Sequence, residues 1–225
     1  MTVKRDIIIT GDGSSTIHLP DWNEQYHSKH GAIQEAYHVF IKNGLEYLAG
    51  EKTKNISILE IGFGTGLNAF ITYLEAAKLQ CSINYTGVEA YPVSIEEIKH
   101  LNYTKALEVG QLDAVFQKFH EMPWGEMHQL TDTFHLEKQQ KFFKDINDKS
   151  CYDLIYFDAF GARVQPELWT ETIFKIMFEA LKINGVLVTY AAKGSVRRAM
   201  QTVGFRVERL PGPPGKREML RAIKI

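Results

Sequence analysis

In NISILEIGFGTGLNAFITYLEAAKL, residues 55–79, the apolar run over 55–62 reads as a buried strand and 66–79 as a helix. Gly62, Gly64 and Gly66 join them. Glycines there let the backbone turn sharply and approach a ligand that β-carbons would exclude. A dinucleotide fingerprint needs G-x-G-x-x-G, whereas here the third glycine comes one residue early. No Lys-Ser/Thr pair follows, which excludes a phosphate-cradling P-loop.

Outward from this unit, strand and helix alternate. SINYTGVEA (82–90) reads as a second strand, and Pro92 opens a helix over PVSIEEIKHL. A helix is expected near 104–109, with short strands around 115–119, 126–131 and 133–140 and a short helix in FFKDIND. YDLIYFDAF (152–160) and GVLVTYAA (185–192) are strands, TETIFKIMFEALK (170–182) and SVRRAMQTVG (195–204) helices. FRVERL and REMLRAIKI flank the tight loop PGPPGK, so they pair antiparallel. Upstream, residues 5–20 read as two strands around Gly-Asp-Gly, and apolar spacing from Ala32 to Leu48 predicts a helix stopped near Gly50. The pattern predicts an α/β fold: a Rossmann-like sheet of the S-adenosylmethionine-dependent methyltransferase type, with a terminal antiparallel hairpin and a small N-terminal β-hairpin/helix extension. The extension would occupy 1–54 and the main domain 55–225, effectively as one globular unit.

The 225 residues carry 26 Lys+Arg against 27 Asp+Glu, a formal net charge of −1, with 44% hydrophobic residues. Two cysteines, Cys81 and Cys151, are too few for a disulfide framework or a zinc cluster. His27, His30 and His38 come with no fourth ligand motif, so no metal is expected. No apolar run approaches membrane-span length and the start has no signal-peptide pattern, so the expected location is cytoplasmic, without a membrane partner. The neutral total hides an asymmetry. Residues 191–225 are net +7 and the remaining 190 are net −8. Lys193, Arg197, Arg198, Lys216 and Arg217 are placed to reach a polyanion, against the plainer reading of a solvated basic face.

The remaining common use of the glycine turn is to seat the methionine portion and sulfonium of S-adenosylmethionine, with Glu60 two residues before the first glycine. Glu89, at the end of the next strand, is placed to accept from both ribose hydroxyls. Asp145 could accept from an adenine amine or merely cap a turn. Asp158 ends the strand 152–160 at the rim where sites of open α/β sheets lie. It could orient a nucleophile or take its proton. Phe160 follows on the cleft side.

EQYHSKHGAIQEAYHVFI (24–41), GFGTGLN (62–68), VE (88–89), DIN (145–147), DAFGARVQPELWT (158–170), AAKGSVRRAMQTVGF (191–205) and GKREML (215–220) together resemble the methyltransferase domain of the MnmC family and its stand-alone relatives. The resemblance implies methyl transfer from S-adenosyl-L-methionine to the amine of 5-aminomethyl-2-thiouridine at the tRNA wobble position. It implies that Tyr26, the glycine loop and Asn68 enclose the cofactor, that Glu89 and Asp145 hold its nucleoside, and that Asp158 faces the amine. Phe160 and the basic residues above would meet tRNA. Ala159, Gly161 and Arg163 depart from the family's usual Asp-Gly-Phe-Ala-Pro-type run. The family's flavin-dependent oxidase half has no room in 225 residues, so a separate enzyme would supply the 5-aminomethyl-uridine.

The runner-up is an aminopropyltransferase resembling spermidine synthase. That family carries an acidic residue in its glycine loop, where this chain has Thr65. A methyltransferase acting on another amine and a non-catalytic RNA-binding module stay open as further alternatives. For Asp158, the sequence favours an orienting role over a strict general base, because a nearby carboxylate also favours the unreactive ammonium.

Overall fold

Each strand of the main sheet buries alternate residues on opposite faces, and this two-residue period builds a three-layer molecule. The computed structural model describes residues 4–50 and 54–225. The main strands are β4 (Asn55–Ile61), β5 (Ser82–Glu89), β6 (Met127–Thr131), β7 (Phe134–Gln140), β8 (Tyr152–Phe157), β9 (Leu181–Thr189), β10 (Phe205–Pro211) and β11 (Glu218–Lys224). They form one sheet in the order β10-β11-β9-β8-β4-β5-β7-β6. The central run β9-β8-β4-β5-β7 is parallel, and both ends are antiparallel. The terminal hairpin appears as expected. The second antiparallel pair, β6–β7 at the other edge, adds a feature that the strand pattern does not predict.

Strand order reverses between β4 and β8, so the chain diverges there and leaves a crevice at their carboxyl ends. On one face Ile56, Ile58, Tyr85, Leu136, Tyr156 and Val188 pack under α1 (residues 32–49), α2 (Leu67–Leu79) and α5 (Asp113–Glu121). On the other, Leu59, Ile61, Ile155, Phe157 and Leu187 pack under α6 (Glu171–Ala180) and α7 (Gly194–Thr202). Two one-turn helices, α3 (Ile95–Ile98) and α4 (Tyr103–Ala106), precede α5.

Three antiparallel strands, β1 (Asp6–Ile9), β2 (Ser15–Leu19) and β3 (Glu24–Gln25), make the N-terminal extension with α1. The centre of α1, Tyr37–Leu45, is wound as a π-helix. Gly44 lies there against Val188, Tyr156 and Leu154 of the sheet, where an added Cβ would sit 3.1 Å from Val188. The extension's helix thus forms part of the layer covering the main sheet. The boundary expected at 54 adjoins 51–53, which lie outside the described residues.

Two local expectations are corrected. Residues 115–119, expected as a strand, lie in α5, where Phe116 and Phe119 are buried three residues apart, a helical spacing. The helix expected to open at Pro92 starts three residues beyond it, because Ser94 and Glu97 form a capping box that fixes the N-terminus at Ile95.

Candidate active site

The β4–α2 turn is shaped by contacts that only glycine permits. Gly62 has φ +91°, and a Cβ on it would lie 2.7 Å from the Asp158 carbonyl oxygen. Gly64 has φ +49°, with the Tyr26 ring 3.1 Å from its Cβ position. The Gly62 and Phe63 N–H groups both donate to the Val88 carbonyl, at 3.0 and 3.1 Å, pinning the turn to the end of β5. Glu89 stands beside it. Its Oε2 accepts from the Gly64 N–H at 3.1 Å and its Oε1 from the Tyr91 N–H at 3.0 Å.

These groups wall one cavity of about 1320 Å³. Gly62, Gly64, Asn68, Glu89, Asp158 and Phe160 line it, together with Tyr26 from the extension. The structure thus gathers seven of the sequence-predicted residues from separate segments of the chain. The rest are placed elsewhere. Glu60 is 1% exposed and sits behind Asn68 rather than on the wall. Gly66 shapes the start of α2 with φ +71° but does not line the cavity. Asp145 is exposed in the turn Phe143–Asp145, whose neighbours Phe142, Phe143 and Lys144 reach the cavity instead.

Asp158 is held from several sides. Its N–H donates to the Ile61 carbonyl at 2.9 Å, and Asn68 Nδ2 donates to its Oδ2 at 2.8 Å. The following residues are fixed by the Tyr190 hydroxyl, donating to the Ala159 carbonyl, and Trp169 Nε1, donating to that of Phe160, both at 2.8 Å. The carboxylate keeps an open edge on the cavity, yet the protein packed around it strips away water. Burial, reinforced by the Glu35 charge, pushes its pKa up to about 7, against smaller lowering effects of Asn68 and Lys216. A carboxylate poised near neutrality can take a proton.

Sequence reasoning missed two parts of the wall, Trp22 and Arg5, and a tie beside it. Trp22 meets Phe160 edge-to-face at 5.8 Å, and Tyr26 meets the same ring at 5.0 Å. Arg5 crosses from β1's approach to donate to Glu97 at 3.1 Å and to the Tyr91 carbonyl at 3.3 Å. Arg163, one of the departures from the family run, bonds the Trp22 and Asn23 carbonyls and Glu24, tying the Asp158 loop to the extension. No local spacing announces these contacts.

The basic segment is also thinner than its count suggests. Lys216 Nζ pairs with buried Glu35 at 2.5 Å and lies 3.7 Å from the centre of the Tyr190 ring. Arg206, Arg209 and Arg221 pair with Glu208 or Glu218, and Lys224 is buried with its Nζ on the Leu181 carbonyl. Lys193, Arg197, Arg198 and Arg217 have no ion pair among the described residues. All four lie at the end of the sheet that carries Asp158, because α7 follows β9 and β11 pairs Leu220 with Thr189.

Among the described residues no group of three or more His, Cys, Asp or Glu is placed to hold a metal. None of their helices is long and apolar enough to cross a membrane.

Residues 126–225 match a family described as S-adenosyl-L-methionine-dependent methyltransferase. The tRNA 5-methylaminomethyl-2-thiouridine biosynthesis bifunctional protein MnmC of Cupriavidus metallidurans is 30% identical over 94% of this chain and 33% of its own length. The chain thus spans about a third of the length of the curated relatives it matches. Among solved structures, MnmC2 of Aquifex aeolicus superposes with a TM-score of 0.79 at 24% identity, covering 98% of this chain and 70% of the other. Spermidine synthase of Thermotoga maritima shares the fold less closely, with a TM-score of 0.53 at 14% identity over 100% of this chain and 74% of its own.

Proposed function

We propose that this chain, which is similar to the S-adenosyl-L-methionine-dependent methyltransferases related to MnmC, methylates the primary amine of 5-aminomethyl-2-thiouridine at the tRNA wobble position. The observation that carries the reading is the convergence of the glycine turn, Glu89 and Asp158 on one cavity.

S-adenosyl-L-methionine is the family's cofactor, and the residues present fit it. The turn at Gly62 and Gly64 leaves no room for Cβ atoms. Glu89 has lone pairs left for ribose hydroxyls after its two backbone bonds. The first turn of α2 would offer backbone amides to the cofactor's carboxylate. Thr65, rather than an acidic residue, in the glycine loop disfavours the decarboxylated cofactor of an aminopropyltransferase. When bound, the cofactor supplies an electrophilic methyl group.

The chain's own residues handle the proton. An alkylammonium resembles lysine, with a pKa of about 10.4, and has no lone pair until it loses a proton. Asp158, ionised above about pH 7, attracts the ammonium and takes one proton onto its carboxylate, leaving the nitrogen free to attack. Tyr26, Trp22 and Phe160 close the wall around this point and exclude water. Holding the amine in line supplies roughly 7–11 kcal/mol of barrier reduction. Lys193, Arg197, Arg198 and Arg217 contribute local, salt-sensitive attraction for tRNA phosphates. The aminomethyl group itself must be installed by another activity, because methyl transfer adds only the final carbon.

Calorimetry with S-adenosyl-L-methionine tests the cofactor half of this reading. Wild-type protein should bind, and Glu89→Ala should bind about ten- to a hundredfold more weakly, from losing hydrogen bonds to a charged acceptor. No binding by wild-type protein would favour the non-catalytic RNA-binding module.

A further inference from the structure

We propose that Glu60 is a positioning residue for Asp158, acting through the side-chain amide of Asn68. Alternation along β4 puts Glu60 on the sheet face covered by α2, and Asn68 lies in the first turn of that helix. Asn68 Nδ2 donates to Glu60 Oε1 at 3.0 Å and to Asp158 Oδ2 at 2.8 Å. An amide nitrogen has two N–H donors, so both are engaged, and the group is anchored on one side by Glu60 and presented on the other to Asp158.

This arrangement favours the protonated form of Glu60. Its side chain is 1% exposed, is absent from the cavity wall, and faces the Tyr85 hydroxyl. Burial, together with the Asp158 and Glu89 charges, holds its carboxyl well above the usual range. As a neutral acceptor Glu60 steadies Asn68 without setting a second negative charge beside Asp158. Ionised, the two carboxylates would compete for one amide and repel.

The other titratable groups acting on Asp158 are Glu35 from α1, Lys216 from the β10–β11 loop, Tyr190 beyond β9 and Tyr85 on β5. Tyr85 and Tyr156 also face Glu60. None of these groups donates a hydrogen bond to the Asp158 carboxylate among the described residues, so Asn68 is the hydrogen-bond donor that favours its ionised form, alongside the Lys216 charge.

The inference rests on Asp158 being the group that takes the amine's proton. It is tested by the pH dependence of kcat/KM for amine-bearing tRNA at saturating S-adenosyl-L-methionine, alongside cofactor Kd by calorimetry. In wild-type protein the rising limb should fall at about pH 7. Asn68→Leu should move it upward by about one unit, the scale of a lost hydrogen bond to a charged group. Glu60→Ala should move it in the same direction, and Glu60→Gln, which keeps a neutral acceptor, should restore it while leaving cofactor Kd within about threefold. An unmoved limb in Asn68→Leu overturns the proposal. So does a Glu60→Gln variant that shifts the limb as far as Glu60→Ala, or one that weakens cofactor binding about tenfold with the limb in place. If Glu60→Ala does not fold, the other two variants still decide. Failure of the parent reading is separate: it shows as an Asp158→Asn variant that keeps the limb at about pH 7.

Discussion

Replacing Asp158 by Asn removes the cavity carboxylate set directly beside the glycine turn while keeping its size and its place after β8. Burial puts the native carboxyl at about 7, and the incoming ammonium titrates near about 10.4. Moving the proton between them therefore costs about 4–5 kcal/mol, at 1.36 kcal/mol per pKa unit, which a bound and aligned pair can meet. Without the carboxylate, reaction draws on amine already unprotonated, about one molecule in 2,500 at pH 7. Loss of a positioned base typically lowers the rate by about 10²–10⁴. The assay is transfer of labelled methyl from S-adenosyl-L-methionine to tRNA bearing 5-aminomethyl-2-thiouridine, from pH 6 to 10. Wild-type kcat/KM should rise and level off above about pH 7. The Asn variant should start at about 10²–10⁴ below it at pH 7 and gain about tenfold per pH unit, so that the deficit narrows. A variant within about threefold of wild type at pH 7, or one lower at every pH with the same bend, would overturn this role for Asp158.

Gly62→Ala should destabilise the fold by more than about 1 kcal/mol and weaken cofactor binding, since φ is +91° and the new methyl meets the Asp158 carbonyl; a thermal melt and calorimetry check both. His27 is half-buried on the cavity wall, and burial lowers its pKa to about 4, below the 6.5 of an unfolded histidine. The unfolded chain therefore binds more protons between pH 4 and 6.5, so stability falls as pH drops through that window. His27→Gln should flatten this part of a denaturation-against-pH series. Replacing Lys193, Arg198 and Arg217 together by Glu should raise KM for tRNA. Replacing them by Gln should lower the salt slope of binding by about 0.7 for each phosphate no longer neutralised, as filter binding at graded salt would read.

What was legible in the sequence is what local spacing encodes. Gly62, Gly64, Glu89 and Asp158 sit at strand ends whose periodicity gives the sheet, and all four meet in the cavity. Residues 115–119 read wrongly as a strand because VFQKF carries apolar side chains compatible with either period, and only packing on Tyr103 and Phe70 selects the helix. Lys216 counts as a cation in the sequence, but its partner Glu35 lies 181 positions away and nothing local reveals the pairing. Arg5 and Trp22 were invisible for the same reason, since each reaches the cavity by a fold-level approach. Glu60 reads as a cofactor-facing carboxylate from its place two residues before Gly62, yet strand alternation turns it inward to Asn68.

The most direct measurement incubates the purified chain with S-adenosyl-L-methionine and tRNA whose wobble position carries 5-aminomethyl-2-thiouridine, then digests the tRNA and weighs its nucleosides. The expected result is conversion of that nucleoside to 5-methylaminomethyl-2-thiouridine, abolished when Glu89 and Asp158 are both replaced by Ala. Unchanged 5-aminomethyl-2-thiouridine, from protein that binds the cofactor and is fully folded, would contradict the proposed methyl transfer.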